Sequence, residues 1–285
     1  MKLCRFQNAK GEVRVGCMTD VATLIDLTDA GIHSVASILE AENPMERLKQ
    51  IAVASLPRIA VSDVRLCAPI ERQEVWAAGV TYLRSKTARM DESEFSANAY
   101  DRVYDAVRPE LFFKSMPEKV VSTGEPVGIR RDARWSVPEP ELVLVINSRG
   151  AVAGCTIGND MSSRDIEGEN LLYLPQAKIY SGSCALGPYI VVGASEAEVR
   201  AWTVRVQIQR DGQTVFAGET SVGRIKRSFP ELAEFLFRSQ KFPNGAVLLT
   251  GTGVVPPDNF TLMERDVVDI EIDGIGQLRN SVEIV

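Results

Sequence analysis

VPEPELVLVINSRGAVAGCTIGNDMSSRDIEGENLLYLPQAKIYSGSCALGP, residues 137–188, is the stretch on which the fold and the chemistry of this chain turn. It carries Glu139, Glu141, Asp160 and Lys178 in an order that suits a hard divalent cation beside a basic amine. Residues 141–146 are an apolar run rich in Leu and Val, and Asn147-Ser148-Arg149-Gly150 is a turn signal before a second short run from Ala151. The pattern predicts a β-hairpin. Side chains alternate faces along a strand, so Glu139 and Glu141 share one side. With Ile146 paired to Ala151 across a four-residue loop, Asp160 falls opposite Val137 on that same side. Three carboxylates gathered there repel and desolvate one another, a cost that bound Mg²⁺, Mn²⁺ or Ca²⁺ removes. All-oxygen ligands favour Mg²⁺ or Mn²⁺ over zinc. Taken alone, glutamates at alternate strand positions more often form the solvated face of an edge strand. Gly154, Gly158, Gly182 and Gly187-Pro188 shift that balance, because tight turns beside an acidic cluster make loops of the kind that carry sites.

Composition narrows the alternatives. A chain of 285 residues has room for one large domain and a small one, and 45% apolar with 25% charged residues is ordinary for a globular protein with a sizeable core. The balance of 32 basic against 38 acidic residues gives −6, with no basic cluster interleaved with aromatics, so nucleic acid is not an expected partner. No apolar run approaches a membrane span and the opening MKLCRFQNAKGEV lacks a signal-peptide core, so a cytoplasmic location and no membrane partner are expected. The five cysteines form no CxxC pair and read as reduced thiols. Cys184 lies near the site in sequence, but without a histidine beside it a thiolate nucleophile is not expected. His33 is the only histidine; it sits at the polar edge of a helical stripe made by Ile32, Val35, Ile38 and Leu39. A Ser-His-Asp triad would have to recruit it from outside the motif region.

Residues 1–70 read as a small N-terminal α+β domain. LCRFQ, EVRVGCM and ATLIDL have strand character, Gly11 centres a turn, a helix is expected over 31–41, and IAVSDVRLCAPI closes the unit. Polar, proline-marked sequence around Asn43-Pro44 and Leu56-Pro57 leads into that last stretch. The main domain, 71–285, is mostly strands. Its clear helix runs over 229–238, where Ser228 and Glu231 make a capping-box pattern and Phe229, Leu232, Phe235 and Leu236 form one apolar face. A further strand, AVLLTGTGV, and a hairpin turning at Asp273-Gly274 follow. The fold class is α+β, mostly β. Nothing alternates regularly enough for a doubly wound sheet, and no Gly-rich loop opens a helix, so neither a nucleotide nor a redox cofactor is expected.

AAGVTYLRS, RPELFFKS, VPEPELVLVI, GCTIGNDMSSRD, QAKIYSGSCALGP, LLTGTG and DIEIDGIGQLRNSV, in that order over roughly 76–285, resemble the fumarylacetoacetate hydrolase superfamily. The resemblance implies a β-roll catalytic domain with a small N-terminal domain, a divalent metal and a homodimer or homotetramer. It makes Glu139, Glu141 and Asp160 the metal ligands and Lys178 the active-site lysine. In the C–C bond hydrolases of this family a motif Asn-Tyr-x-x-His-x-x-Glu supplies the pair that activates water. Here Thr81-Tyr82-Leu83-Arg84-Ser85-Lys86-Thr87-Ala88 keeps the tyrosine but has serine and alanine in place of that pair. A hydrolytic water therefore lacks a general base. The segments around Arg108 to Lys114 and RDIEGENLLYLPQAKIYSGSCALGP look instead like the branch that dehydrates 2-keto-3-deoxy sugar acids, which maps a catalytic glutamate onto Glu110.

That branch implies Mg²⁺-dependent loss of water from a 2-keto-3-deoxypentonate, such as the arabinonate, to 2-oxoglutarate semialdehyde through a metal-stabilised enolate. Lys178 is the candidate base for the C3 proton, since burial and a nearby cation disfavour its ammonium form. The opposing reading of Lys178 is a salt bridge to the same carboxylates. Glu110 is the candidate acid for the C4 hydroxyl. Tyr82, Arg84, Ser85, Lys114, Thr250 and Thr252 are candidate substrate contacts, and the segment 84–89 reads either as a lid or as a solvated basic helix. The family often has proline where Gly253 stands. Two rival readings share the metal site: a hydrolase or decarboxylase of a 2,4-diketo or acylpyruvate-type acid, and a sugar-acid-binding protein without catalysis.

Overall fold

The computed structural model describes residues 1–52, 56–83 and 102–285. An 11-stranded sheet runs in the order Arg58–Ala60, Thr23–Asp26, Val13–Met18, Lys2–Gln7, Cys184–Val191, Val152–Asp160, Pro140–Ile146, Ala246–Leu249, Glu74–Gly79 and Glu110–Ser115, with Arg65–Cys67 also paired to Lys2–Gln7. A five-stranded sheet packs on it, ordered Gln213–Ser221, Thr203–Arg210, Val267–Ile272, Gly276–Ile284 and Val127–Ile129. Ser162–Ser163 pairs with Ser136–Val137 as a short ribbon beside the site. Mostly-β architecture is thus what the strand-rich sequence produces. No helix among the described residues is long and apolar enough to cross a membrane.

Both faces of the central hairpin are covered, which explains why Pro140–Ile146 is buried throughout and, apart from Glu141, apolar. Leu142, Leu144 and Ile146 face the five-stranded sheet and pack with Val206, Ile208, Ile270 and the helix residues Leu232 and Leu236. Val143 and Val145 point the other way, Val143 toward Val75, Leu186 and Leu249 and Val145 toward Leu3, Val15 and Ile190. Glu141 continues that second row. The strands of residues 1–70 extend the same large sheet, because Lys2 and Leu3 pair with Val191 and Ile190.

The hairpin is real, but its register differs from the expected one. Ile146 pairs with Val152 rather than Ala151, and a bulge then sets Val145 against Gly154 and Glu141 against Gly158. The loop is one residue longer than expected and the bulge adds another. Two single-residue displacements restore the parity of a strand whose side chains repeat every second residue, so Asp160 still lands on the side of Glu139 and Glu141. Its backbone N–H donates to the Glu139 carbonyl at 2.9 Å, which makes its partner Glu139 and not Val137.

One expectation for the first 70 residues needs correction. The helix expected over 31–41 is confined to Ala36–Leu39, because Gly31 turns left-handed at φ 81° and the Glu71 carboxylate accepts from the N–H groups of Val35 and Ala36. A further helix, Pro44–Ala52, which is not among the elements expected from the sequence, opens at Asn43-Pro44, with the Asn43 side chain accepting from Glu46 N at 3.1 Å and proline in the first turn. The helix Phe229–Phe237 and the Asp273-Gly274 hairpin form where the sequence placed them.

Gly158 lets the two site strands pack. A Cβ there would lie 2.5 Å from Val143 Cγ2 and 3.1 Å from Leu249 Cδ2. Gly158→Val is therefore expected to cost about 1–3 kcal/mol of unfolding free energy, as overpacked cores do. An unchanged denaturant midpoint would show that the strands are not in contact as described.

Candidate active site

Glu139, Glu141 and Asp160 converge at the end of the hairpin. One carboxylate oxygen from each lies within 4.8 Å of the others, and the residues are only 2%, 2% and 1% exposed. The turn into the cluster is fixed by the buried Asn159, whose side-chain oxygen accepts from Glu139 N at 3.2 Å. Three cations surround the carboxylates. Lys178, last residue of the short helix Leu174–Lys178, places Nζ 2.8 Å from Glu139 Oε2, 3.2 Å from Asp160 Oδ2 and 2.5 Å from Ser162 Oγ. Arg164, at the start of Arg164–Glu169, reaches Glu139 Oε1 at 2.6 Å. Lys114 pairs with Asp160 Oδ1 at 2.5 Å and donates to the carbonyls of Met161 and Lys178. The salt-bridge reading of Lys178 therefore describes this arrangement, and it does not exclude a second role.

A bulge delivers Lys114. In the ladder between Glu74–Gly79 and Glu110–Ser115, Trp76 pairs with Phe113 and Val75 with Ser115, so Lys114 is the extra residue and is turned into the interior. Farther along the same strand, Phe112 lines the cavity, its ring centre 5.9 Å from Lys178 Nζ. Glu110 pairs with Gly79, and a Cβ on Gly79 would occupy the place of the Glu110 carboxylate. That glycine is what admits the acid there.

The cavity over the carboxylates is lined by Ala78, Gly79, Val80, Phe112, Arg164, Gly251 and Thr252 in addition to the three acids. The chain segments on either side clasp each other: Thr81 Oγ1 donates to the Thr250 carbonyl at 2.5 Å, and Gly251, at φ 89°, has no room for a Cβ against Thr81. Gly251 N donates to Glu141 Oε2 at 2.5 Å, which orients that carboxylate. Thr252 reaches the cavity, whereas the Thr250 hydroxyl donates to Leu142 O at 2.8 Å, away from it. Tyr82 is 2% exposed in the main core, and burial pushes its phenol pKa up, with Glu141 adding to the shift. Its ring lies where a side chain at Gly253 would be. Arg84, Ser85 and the possible lid at 84–89 lie outside the described residues.

Sequence reasoning missed Arg164, Phe112 and Val80. For Arg164 a signal existed, an arginine four positions after Asp160 and next to the acidic run. Val80 gave none: its φ of 51° is a backbone state that costs a β-branched residue about 1–3 kcal/mol.

The donor set fits a hard divalent cation. All three ligands are carboxylates, and their mutual repulsion is visible in Glu141, whose carboxyl pKa is held well above the usual range by burial first and then by Asp160 and Glu139. The family model described as "Fumarylacetoacetate (FAA) hydrolase C-terminal" matches residues 74–283. The chain belongs to the fumarylacetoacetate hydrolase family. It is 41% identical over 288 residues to a Haloferax volcanii protein named "Probable 2-keto-3-deoxyxylonate dehydratase", covering 96% of this chain and 97% of that one. It is 36% identical over 269 residues to the 2-dehydro-3-deoxy-D-arabinonate dehydratase of Saccharolobus solfataricus, covering 93% and 90%. A solved 2-keto-3-deoxy-D-arabinonate dehydratase complexed with magnesium and 2,5-dioxopentanoate superposes with a TM-score of 0.85 at 33% identity, covering 100% of this chain and 99% of that one.

A carboxyl raised in the fold keeps a proton that the unfolded chain has released. Its contribution to stability is therefore lost as pH rises from the ordinary carboxylate range through the raised value. In the presence of chelator, Glu141→Gln is expected to gain stability relative to the wild type as pH rises above the ordinary carboxylate range. Mg²⁺, which needs the ionised carboxylate, should bind the wild type more tightly over the same range and reverse the loss. Thermal melts and calorimetric Mg²⁺ titrations check both; a stability difference flat with pH would refute the assignment.

Proposed function

We propose that this protein is a Mg²⁺-dependent dehydratase that converts a 2-keto-3-deoxypentonate to 2-oxoglutarate semialdehyde. The observation that carries this reading is Lys178 Nζ, buried within hydrogen-bond reach of two of the three carboxylates, in a chain that matches dehydratases over its whole length. Glu139, Glu141 and Asp160 would hold the cation, Mg²⁺ or Mn²⁺. A cation there supplies Lewis-acid stabilisation of the negative charge that develops on the 2-keto oxygen.

The remaining steps belong to the chain. Lys178 takes the C3 proton as a free amine, and Ser162 Oγ holds its nitrogen in place. Glu110, seated against Gly79 beside the cavity, gives its proton to the C4 hydroxyl as the C4–O bond breaks and water leaves. The resulting C3=C4 enone still carries its C5 hydroxyl. Loss of a C5 proton and return of the Lys178 proton to C3 give a C4–C5 enol, which ketonises to the aldehyde. Phe112 and Val80 shield the reacting carbons from bulk water, and Arg164 and Thr252 offer donors to substrate oxygens. Tyr82, Thr250 and Lys114 act at one remove, through the Gly251 clasp and Asp160. Arg84 and Ser85 remain candidate substrate contacts from their place after Tyr82 in the sequence, assembly as a homodimer or homotetramer rests on the family resemblance, and a cytoplasmic location is the expectation drawn from the sequence.

Incubation with Mg²⁺ and 2-keto-3-deoxy-arabinonate or -xylonate should yield a semialdehyde trapped by hydrazine, and chelator should abolish it. Lys178→Ala is expected to lose turnover with Mg²⁺ binding still measurable, and Glu110→Gln to lose about 10²–10⁴-fold in kcat. Cleavage of a 2,4-diketo acid with no action on the deoxy acids would overturn the proposal.

A further inference from the structure

Among described non-glycine residues, Val80, Asp211 and Arg265 have positive φ, 51°, 51° and 71°. Asp211 precedes Gly212 in the two-residue turn between the paired Arg210 and Gln213, where Asp-Gly is the expected choice. Arg265 lies in a connecting loop before Asp266, its N–H donating to Val282 O at 2.8 Å. Val80 has neither excuse. A β-branched residue is among the worst tolerated in this backbone region, and glycine or asparagine would make the same turn at less cost. The valine must therefore be there for its isopropyl group. That group is buried, 4% exposed, yet belongs to none of the hydrophobic clusters that hold the core together. It is among the residues that line the cavity with the three carboxylates instead.

The geometry points to Val80 as the residue that limits the length of the sugar acid the site accepts, an inference that rests on the dehydratase reading above. The carboxylate cluster fixes the C1–C2 end of the substrate, and Glu110 marks C4. Gly79 lies against the Glu110 carboxyl, Val80 follows it directly, and both line the cavity, so in this inference the valine side chain borders the substrate beyond C4. In a pentonate that space takes the C5 hydroxymethyl group. A hexonate carries one more CHOH unit, which meets the isopropyl wall. The Thr81 to Thr250 hydrogen bond on the next residue fixes the chain at this point.

The test is the ratio of kcat/KM for a 2-keto-3-deoxyhexonate to that for the pentonate, with Mg²⁺, in wild type, Val80→Ala, Val80→Thr and Val80→Ile. Val80→Ala should raise the ratio by about tenfold or more, on the scale at which pockets discriminate single carbon units. Val80→Thr, of the same shape, should leave it within about threefold, and Val80→Ile should lower it. The ratio is internal to one preparation, so partial unfolding cannot imitate the shift. An unchanged ratio in Val80→Ala with an active wild type overturns the inference and leaves the dehydratase standing. Should the alanine variant fail to fold, a ratio in Val80→Ile equal to wild type overturns it. A wild type inactive on both acids overturns the dehydratase reading itself.

Discussion

Burying Glu139, Glu141 and Asp160 within one cluster is affordable only because Lys114, Lys178 and Arg164 are buried with them. Charges removed from water need partners of opposite sign, and even a well-paired buried network is rarely worth more to stability than apolar side chains of the same size. Three formal negative charges meet three positive ones, so this network is neutral when all three carboxylates are ionised, the state that binding of a divalent cation requires. A divalent cation and a substrate carboxylate together would add one positive charge. Neutrality would return if Lys178 gave up its proton, which is the state the proposed base requires. The salt bridge and the proposed role of Lys178 are thus compatible with one charge set.

The scaffold serves this constraint. Each cation comes from a different element, the strand Glu110–Ser115, the helix Leu174–Lys178 and the helix Arg164–Glu169, while the acids come from the central hairpin. The cluster therefore ties together chain segments far apart in sequence. Lys114 is the firmest of these ties: fully buried, it holds Asp160 with its ammonium and the backbone of the lysine helix through the Lys178 carbonyl. The opposite wall is built by the clasp of residues 78–82 on 250–253, whose glycines allow backbones and rings to meet where any side chain would intrude.

Much of this was legible in the residues, for physical reasons that can be traced. Carboxylate convergence depends only on strand parity, so it survived a loop and a bulge that each moved the register by one residue. The Phe229–Phe237 helix announced itself through a serine cap and an apolar face. The Pro44–Ala52 helix carried an equally plain signal, Asn before Pro, but polar residues around a proline also begin turns and local pattern does not separate the two. Lys114 read as a substrate contact because a sequence shows neither bulges nor burial. Val80 was invisible, since a left-handed valine is imposed by its surroundings and no propensity predicts it.

What distinguishes the chemistry is the group placed over the carbon next to the enolate. The acids and the lysine do no more than make removal of a C3 proton feasible from any 2-keto acid. If a base and a water stood over the next carbon, the same charge set would lead to C–C bond hydrolysis. Here Gly79 opens a space that the Glu110 carboxyl fills. In the proposed reaction that carboxyl is the acid that faces the next carbon. An acid at that place can act only on a leaving group that accepts a proton, and in a 3-deoxy sugar acid the C4 hydroxyl is that group. On that reading the choice of reaction rests on the pairing of one glycine with one glutamate, at the end of a strand ladder outside the acidic cluster.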